Sequence, residues 1–180
     1  HSPDTSLQRG RLIGNELFIN ALQEDAEIDL ATSFNTFRLN ALEGTGGSGT
    51  TDLTLENDRG LVVDSVLRVN GSVDIETTEG ALDLQAVVDV TGGLSLKSTD
   101  DLNISSQLKS GQGSVSIESS GNVDINAAIS TSDVEGDLDI IAGGDVTITS
   151  LVASGEIVTV NAGGNIATID ATSVIEGPSA

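Results

Sequence analysis

Short alternating apolar pairs recur along this chain from about residue 71 onward. In each pair one polar residue separates two branched aliphatic residues, which is the period of a β-strand with one buried face. The pairs form two series that advance together by 20 to 23 residues at each step. The first series is Val73/Ile75, Leu94/Leu96, Val115/Ile117, Leu138/Ile140 and Val158/Val160. The second series is Leu82/Leu84, Leu102/Ile104, Val123/Ile125, Val146/Ile148 and Ile166.

A weaker third series of single apolar residues completes the period. Its members are Val88, Leu108, Ile129, Leu151 and Val174. Three short strands in every 21 residues or so predict an all-β chain folded as a right-handed parallel β-helix, a solenoid with one coil per period. Both main series step by 23 residues across one stretch, so we place extra residues in a turn near residues 132–135, where they leave the stack intact.

Glycine marks the predicted corners of each coil. A tight corner needs backbone freedom that a Cβ restricts, and glycine stands two or three residues before a strand in nine of ten slots. Asp100, a residue type that turns tolerate, fills the tenth slot. The predicted structural turn glycines are Gly71, Gly80, Gly92, Gly113, Gly121, Gly136, Gly144, Gly155 and Gly164.

The first 50 residues follow the pattern less closely. The pairs that suggest further coils here are Leu17/Ile19, Ile28/Leu30 and Phe37/Leu39. We therefore predict irregular N-terminal coils or a cap over residues 1–50, with a glycine-rich loop at 43–50. Regular coils occupy 51–177, and residues 178–180 form a tail.

The composition suits a narrow aliphatic core. Among 180 residues there are three Phe and no Trp, Tyr, Met or Cys, so the large rings that fill a globular centre are scarce and disulfides are excluded. Seven basic against 28 acidic residues give a net charge of −21, which excludes nucleic acid and anionic membranes as partners. No run of about 18 apolar residues is present, so we expect no membrane insertion.

Other repetitive β folds fit the pattern less well. An immunoglobulin-like sandwich also has closely spaced short strands, but it predicts no 21-residue recurrence and usually contains a core Trp. A left-handed β-helix requires a stricter hexapeptide count than these strand spacings allow. Helical solenoids are excluded because Gly, Ser, Thr, Val and Asp dominate the repeats.

Three glycine-led runs carry a resemblance to a known family. They are Gly92-Gly93-Leu94-Ser95-Leu96, Gly143-Gly144-Asp145-Val146-Thr147-Ile148 and Ala162-Gly163-Gly164-Asn165-Ile166. These runs resemble the repeats of filamentous-haemagglutinin-type exoproteins, large secreted bacterial β-helices, and of large bacterial surface adhesins. The resemblance covers roughly 100 of the 180 residues and implies export, surface attachment and an adhesive or scaffolding role. The longer period and the strong acidity depart from the family.

The residues needed for catalysis are poorly represented. His1 is the only histidine and lies at the terminus, so a Ser-His-Asp arrangement has no base. Only two basic residues, Lys97 and Lys109, fall in the coils from about residue 71 onward, and their registers differ. Carboxylate pairs that could act on glycosidic bonds therefore lack the cationic and aromatic platforms expected beside them. We predict that the chain is not an enzyme and has no catalytic residues or organic cofactor.

Calcium is the ligand that the acidic turns suggest most strongly, because hard cations take several oxygens from one turn. The candidate ligands lie in two turns, Asp100 with Asp101 in one and Asp133, Glu135 and Asp137 in the other. A further candidate group is Glu24, Asp25 and Glu27. The Gly-Gly-x-Gly-x-Asp repeat of calcium-binding β-rolls is absent, so solvated turns are the alternative interpretation.

Two functions remain open from the sequence. The first is a structural stalk or scaffold segment of a large secreted or cell-surface bacterial adhesin. The alternative is a module that binds a carbohydrate or another partner on one side face. The expected partners are flanking repeats of a parent protein, a surface glycan or protein receptor, and other copies joined end to end. Because the chain begins His1-Ser2-Pro3, we expect any export signal to lie upstream.

Overall fold

The computed structural model describes residues 11–19, 27–39, 52–131, 136–150, 152–153, 157–168 and 175–176. Every regular element in these ranges is a β-strand, and every pairing between described strands is parallel. None of the described segments forms a helix that could cross a bilayer. The predicted all-β parallel β-helix is confirmed.

The described strands form three parallel sheets, two that begin at β1 and β2 and a third that begins at β7. The first sheet contains β1 (Leu12–Ile13), β3 (Glu27–Ser33), β5 (Asp52–Asn57), β8 (Val73–Thr77), β11 (Leu94–Ser98), β14 (Val115–Ser119), β17 (Leu138–Ala142) and β20 (Val158–Ala162). The second sheet contains β2 (Glu16–Ile19), β4 (Thr36–Leu39), β6 (Leu61–Val63), β9 (Leu82–Leu84), β12 (Leu102–Ile104), β15 (Val123–Ile125), β18 (Val146–Ile148) and β21 (Ile166–Thr168). The third sheet contains β7 (Leu67–Val69), β10 (Val88–Val90), β13 (Leu108–Ser110), β16 (Ile129–Thr131), β19 (Val152–Ala153) and β22 (Ile175–Glu176).

The register between coils follows the two main apolar series. Leu94 pairs with Val73 on one side and with Val115 on the other. In the second sheet Leu102 lies in the same way between Leu82 and Val123. Equivalent residues therefore stack directly over one another, and the chain advances by one strand spacing, about 4.8 Å, for each coil.

The third series was wrong in its last two members. Ile129 pairs with Val152, and Val152 pairs with Ile175, one residue later than the predicted Leu151 and Val174. A single apolar residue does not define which face of a strand is buried, and a shift of one residue moves every side chain to the opposite face. The better-defined third-sheet strands have two inward positions, such as Val88 and Val90 in β10, and both are buried.

The core is a continuous spine of stacked aliphatic side chains. Almost all inward Leu, Ile and Val residues of β5 to β18 are at most 2% exposed. Each such burial contributes about 1.5–3 kcal/mol, so repetition of branched aliphatics replaces the large aromatic centre of a globular domain. Phe34 and Phe37 are the buried rings among the described residues, and both lie in the N-terminal part of the stack.

The described part of the N-terminal third continues the same sheets. Ile28 pairs with Leu53 in the first sheet, and Phe37 lies between Leu17 and Val63 in the second. The interval from Ile28 to Leu53 is longer than later coil intervals, since it includes residues 40–51. The predicted loop at 43–50 and the tail at 178–180 lie outside the described residues.

Candidate functional site

Buried hydroxyl groups line one corner of the spine. Thr77, Ser98 and Ser119 end successive strands of the first sheet and are at most 3% exposed. Ser98 Oγ lies 3.1 Å from the carbonyl oxygen of Gly80 and accepts a hydrogen bond from Thr77 Oγ1 at 3.1 Å. These groups satisfy turn carbonyls that would otherwise be buried without partners. These buried hydroxyls were not predicted, although Ser or Thr recurring every 21 residues is a signal that could have revealed them.

Asn57 occupies the equivalent corner position one coil earlier and is fully buried. Its Oδ1 accepts hydrogen bonds from Thr32 Oγ1 at 2.9 Å and from the backbone N–H of Phe34 at 2.8 Å. Its Nδ2 donates to the carbonyl oxygens of Phe34 at 2.9 Å and Arg59 at 2.7 Å. One amide thus closes a corner between two coils with four hydrogen bonds.

The described turn glycines stand between consecutive strands. Gly80 has a φ of +86°, a conformation that side chains with a Cβ rarely adopt. The other reason for glycine is contact between coils: a Cβ on Gly113 would lie 2.7 Å from the backbone nitrogen of Gly93. Gly155 lies outside the described residues.

A ladder of Asp and Asn side chains links the coils at the start of the second sheet. Asp101 Oδ1 accepts a hydrogen bond from the backbone N–H of Asn122 at 2.8 Å. Asn122 Oδ1 accepts from the N–H of Asp145 at 2.8 Å, and Asp145 Oδ1 accepts from that of Asn165 at 2.7 Å. Each side chain therefore holds the backbone of the next coil in place.

The described calcium candidates belong to the two predicted turns, which lie on different coils. Asp100 and Asp101 lie between β11 and β12, whereas Asp137 precedes β17 and accepts a hydrogen bond from the N–H of Ile157 at 3.2 Å. No group of three or more Asp, Glu, His or Cys side chains within the described ranges is placed to hold a metal ion. Four other candidates, Asp133, Glu135, Glu24 and Asp25, lie outside those ranges, as does the Glu27 side chain. Calcium binding stays a prediction.

Lys97 and Lys109 do not share a surface. Lys97 projects from the first sheet, with its Nζ 3.7 Å from Glu76 Oε1. Lys109 projects from the third sheet, where it stacks between Asp89 and Ser130. The two ammonium groups therefore cannot form one cationic site.

An open groove of about 480 Å³ crosses four neighbouring strands on the outer face of the first sheet. Its floor includes the main chain at Leu53, Val73 and Leu94, whose side chains are buried in the core. One column of residues precedes this floor along the strands and another follows it. We call the preceding column the inner rim and the following column the outer rim. The inner rim consists of Asp52, Ser72, Gly93 and Ser114. The outer rim consists of Thr54, Asp74, Ser95 and Ser116.

Comparison with known proteins gives no relative from which a function could be transferred. No model of a protein family matches the chain, and no curated protein or solved structure is significantly similar to it. The fold and the groove are therefore the available basis for a functional proposal.

Proposed function

We propose that this chain is a structural stalk or scaffold segment of a large secreted or cell-surface bacterial adhesin, and that it carries out no catalysis. The observation that carries the proposal is the unbroken register of parallel strands along the first sheet, from β1 to β20. A stack in which every coil repeats the last resists bending, because bending would separate strands on one side.

The corner contacts support a mechanical role. The hydroxyls of Thr77, Ser98 and Ser119 and the Asp–Asn ladder join each coil to its neighbours through side chains as well as through backbone pairing. Both sets of contacts lie at the corner between the first and second sheets, where they tie successive coils together. An enzyme or a receptor site would not require this repetition.

Exposed apolar residues at the C-terminal edge support a longer stack. Ile166 is 51% exposed, whereas its in-register partner Val146 is fully buried. A further coil stacked on β21 would bury Ile166, as β18 is buried by β21. Flanking repeats of a parent protein are the partners that such an edge would suit, and the resemblance to secreted bacterial β-helices favours an extracellular location.

Spin labels can test the rigidity that a stalk requires. The chain has no native Cys, so cysteines at Thr54 and Thr159 give two unique labels in one outward column. These positions are separated by five strand spacings, about 24 Å. We expect a narrow distance distribution near that value, and a broad distribution would contradict a rigid stalk.

Deletion of one coil tests the same stalk proposal when this chain is part of a protein displayed on the cell surface. Removal of residues 94–114 takes out one whole coil, and we expect a downstream tag to remain displayed on the cell. Removal of residues 94–104 takes out two strands but leaves the third, so the register breaks and display should be lost. Equal effects of the two deletions would argue against a stacked scaffold.

A further inference from the structure

We propose that the groove on the first sheet binds an uncharged oligosaccharide chain that lies along the axis of the β-helix. This site goes beyond the stalk role and does not depend on it. Its basis is an open groove between two rims: the polar groups of one rim are fixed by hydrogen bonds between coils, and those of the other make no side-chain hydrogen bond to a described residue.

The inner rim is held in place by bonds between coils. Asp52 Oδ1 accepts a hydrogen bond from the backbone N–H of Ser72 at 2.7 Å, and Ser72 Oγ accepts from that of Gly93 at 3.3 Å. Ser114 Oγ accepts from the N–H of Asp137 at 3.2 Å. The hydroxyl hydrogens of Ser72 and Ser114 are donors that these bonds do not use.

The outer rim differs because its side chains have no such partners. Within the described part of the chain, Thr54, Asp74, Ser95 and Ser116 make no side-chain hydrogen bond to another residue. The outward column of the second sheet behaves differently, since Asn103 Nδ2 donates to Asp83 Oδ1 at 2.6 Å. Four consecutive coils thus offer free hydroxyl or carboxylate groups beside the groove.

The spacing of these groups suits an extended ligand. Neighbouring coils are about 4.8 Å apart, so the four coils span about 14 Å along the axis. The rims are two residues apart on each strand, which places their backbones about 6.6 Å from each other. Gly93 contributes no side chain, so the inner rim is lowest near the middle of the groove.

Charge and hydrogen-bonding capacity select the class of ligand. Asp52 and Asp74 lie at one end of the groove, and the chain carries a net charge of −21, so acidic polysaccharides are repelled. The backbone groups of these strands already pair within the sheet, which leaves none for strand addition by a peptide. Hydroxyls that both donate and accept are matched best by the hydroxyls of a neutral sugar chain.

Two-dimensional NMR of the whole chain tests the site with defined probes. The neutral probes are cellotetraose, mannotetraose and tetra-N-acetylchitotetraose, and the comparison probes are tetragalacturonate, tetralysine and calcium chloride. We expect at least one neutral tetrasaccharide, titrated to about 10 mM, to cause saturable shifts of the Asp74, Ser95 and Ser116 amides. The double variant Ser95→Ala/Ser116→Ala should bind at least about tenfold more weakly.

Ser105→Ala/Ser130→Ala is the matched control, because both serines lie outside the groove and make no side-chain hydrogen bond among the described residues. It should bind as the native chain does, and resonance dispersion will show that each variant is folded. The proposal is overturned if no neutral probe causes saturable shifts, if only a charged probe does, or if the control loses binding equally. None of these results would affect the stalk proposal.

Discussion

Ser119 Oγ donates a hydrogen bond to the carbonyl oxygen of Asp100, a residue of the preceding coil, at 2.5 Å. The same hydroxyl accepts a bond from the backbone N–H of Gly121 at 3.0 Å. A small polar side chain inside the aliphatic core therefore joins the corners of two coils. Asp100 is the one corner position at which the sequence pattern has no glycine. It takes part in this contact with its backbone carbonyl oxygen and not with its side chain.

Replacement of Ser119 by Ala should destabilise the fold. The change leaves buried backbone groups without a partner, and we expect a loss of about 1–3 kcal/mol in the free energy of unfolding. Ser120→Ala is the matched control, since Ser120 is exposed and the same atom is removed. Urea denaturation followed by circular dichroism measures both, and equal midpoints would contradict a structural role for Ser119.

Truncation of a central core residue should have a larger effect. Leu96 is 1% exposed and lies between Ile75 and Ile117, so Leu96→Ala leaves a cavity bounded by two coils. We expect a loss of about 2–5 kcal/mol. Lys97→Ala, one residue later on the exposed face, should change stability by less than about 0.5 kcal/mol. A similar effect of the two substitutions would mean that the assigned faces of β11 are wrong.

Two glycines of similar sequence context should respond differently to alanine. A Cβ at Gly113 would lie 2.7 Å from the nitrogen and 2.8 Å from the Cα of Gly93. Gly113→Ala must therefore push the two coils apart, and we expect a loss of about 1–3 kcal/mol. A Cβ at Gly93 would meet only the carbonyl oxygen of Ser114, at 3.5 Å, so Gly93→Ala should be neutral or slightly stabilising. Thermal unfolding of both variants measures which is less stable. A lower unfolding temperature for Gly93→Ala than for Gly113→Ala would contradict the close approach of Gly113 to Gly93.

The role of Asp101 can be separated into hydrogen bonding and charge. Asparagine retains a side-chain oxygen that can accept the N–H of Asn122, as Asn122 itself does for Asp145. In the absence of calcium, Asp101→Asn should therefore unfold at the same midpoint as the native chain. Asp101→Ala should lose about 1 kcal/mol in the free energy of unfolding. If calcium stabilises the native chain but not Asp101→Asn, the carboxylate also binds the ion. Equal losses in both variants without calcium would contradict the ladder.

The sequence predicted the strands of the first and second sheets from β8 to β20, because each of these strands carries two apolar residues that fix its buried face. It misplaced the end of the third sheet, where Leu151 and Val152 are adjacent and either could point inward. The buried hydroxyls were not predicted, because a Ser beside a turn, such as Ser98, is ordinary within one coil. Only the neighbouring coil buries it and supplies its hydrogen-bond partners. The groove was not predictable, because its rims come from four coils and its shape depends on their stacking.

The in-register stacking of coils can be tested directly with cysteine pairs in this cysteine-free chain. Asp74 and Ser95 pair in neighbouring strands, so their Cα atoms lie within the range of about 4.4–6.8 Å that a disulfide spans. Asp74 and Ser116 are two coils apart, about 9.6 Å, and beyond that range. We predict that Asp74→Cys/Ser95→Cys oxidises to an intramolecular disulfide while Asp74→Cys/Ser116→Cys keeps two free thiols, as measured by mass spectrometry under dilute conditions. Cross-linking of the second pair in preference to the first would contradict the parallel β-helix and the proposals that rest on it.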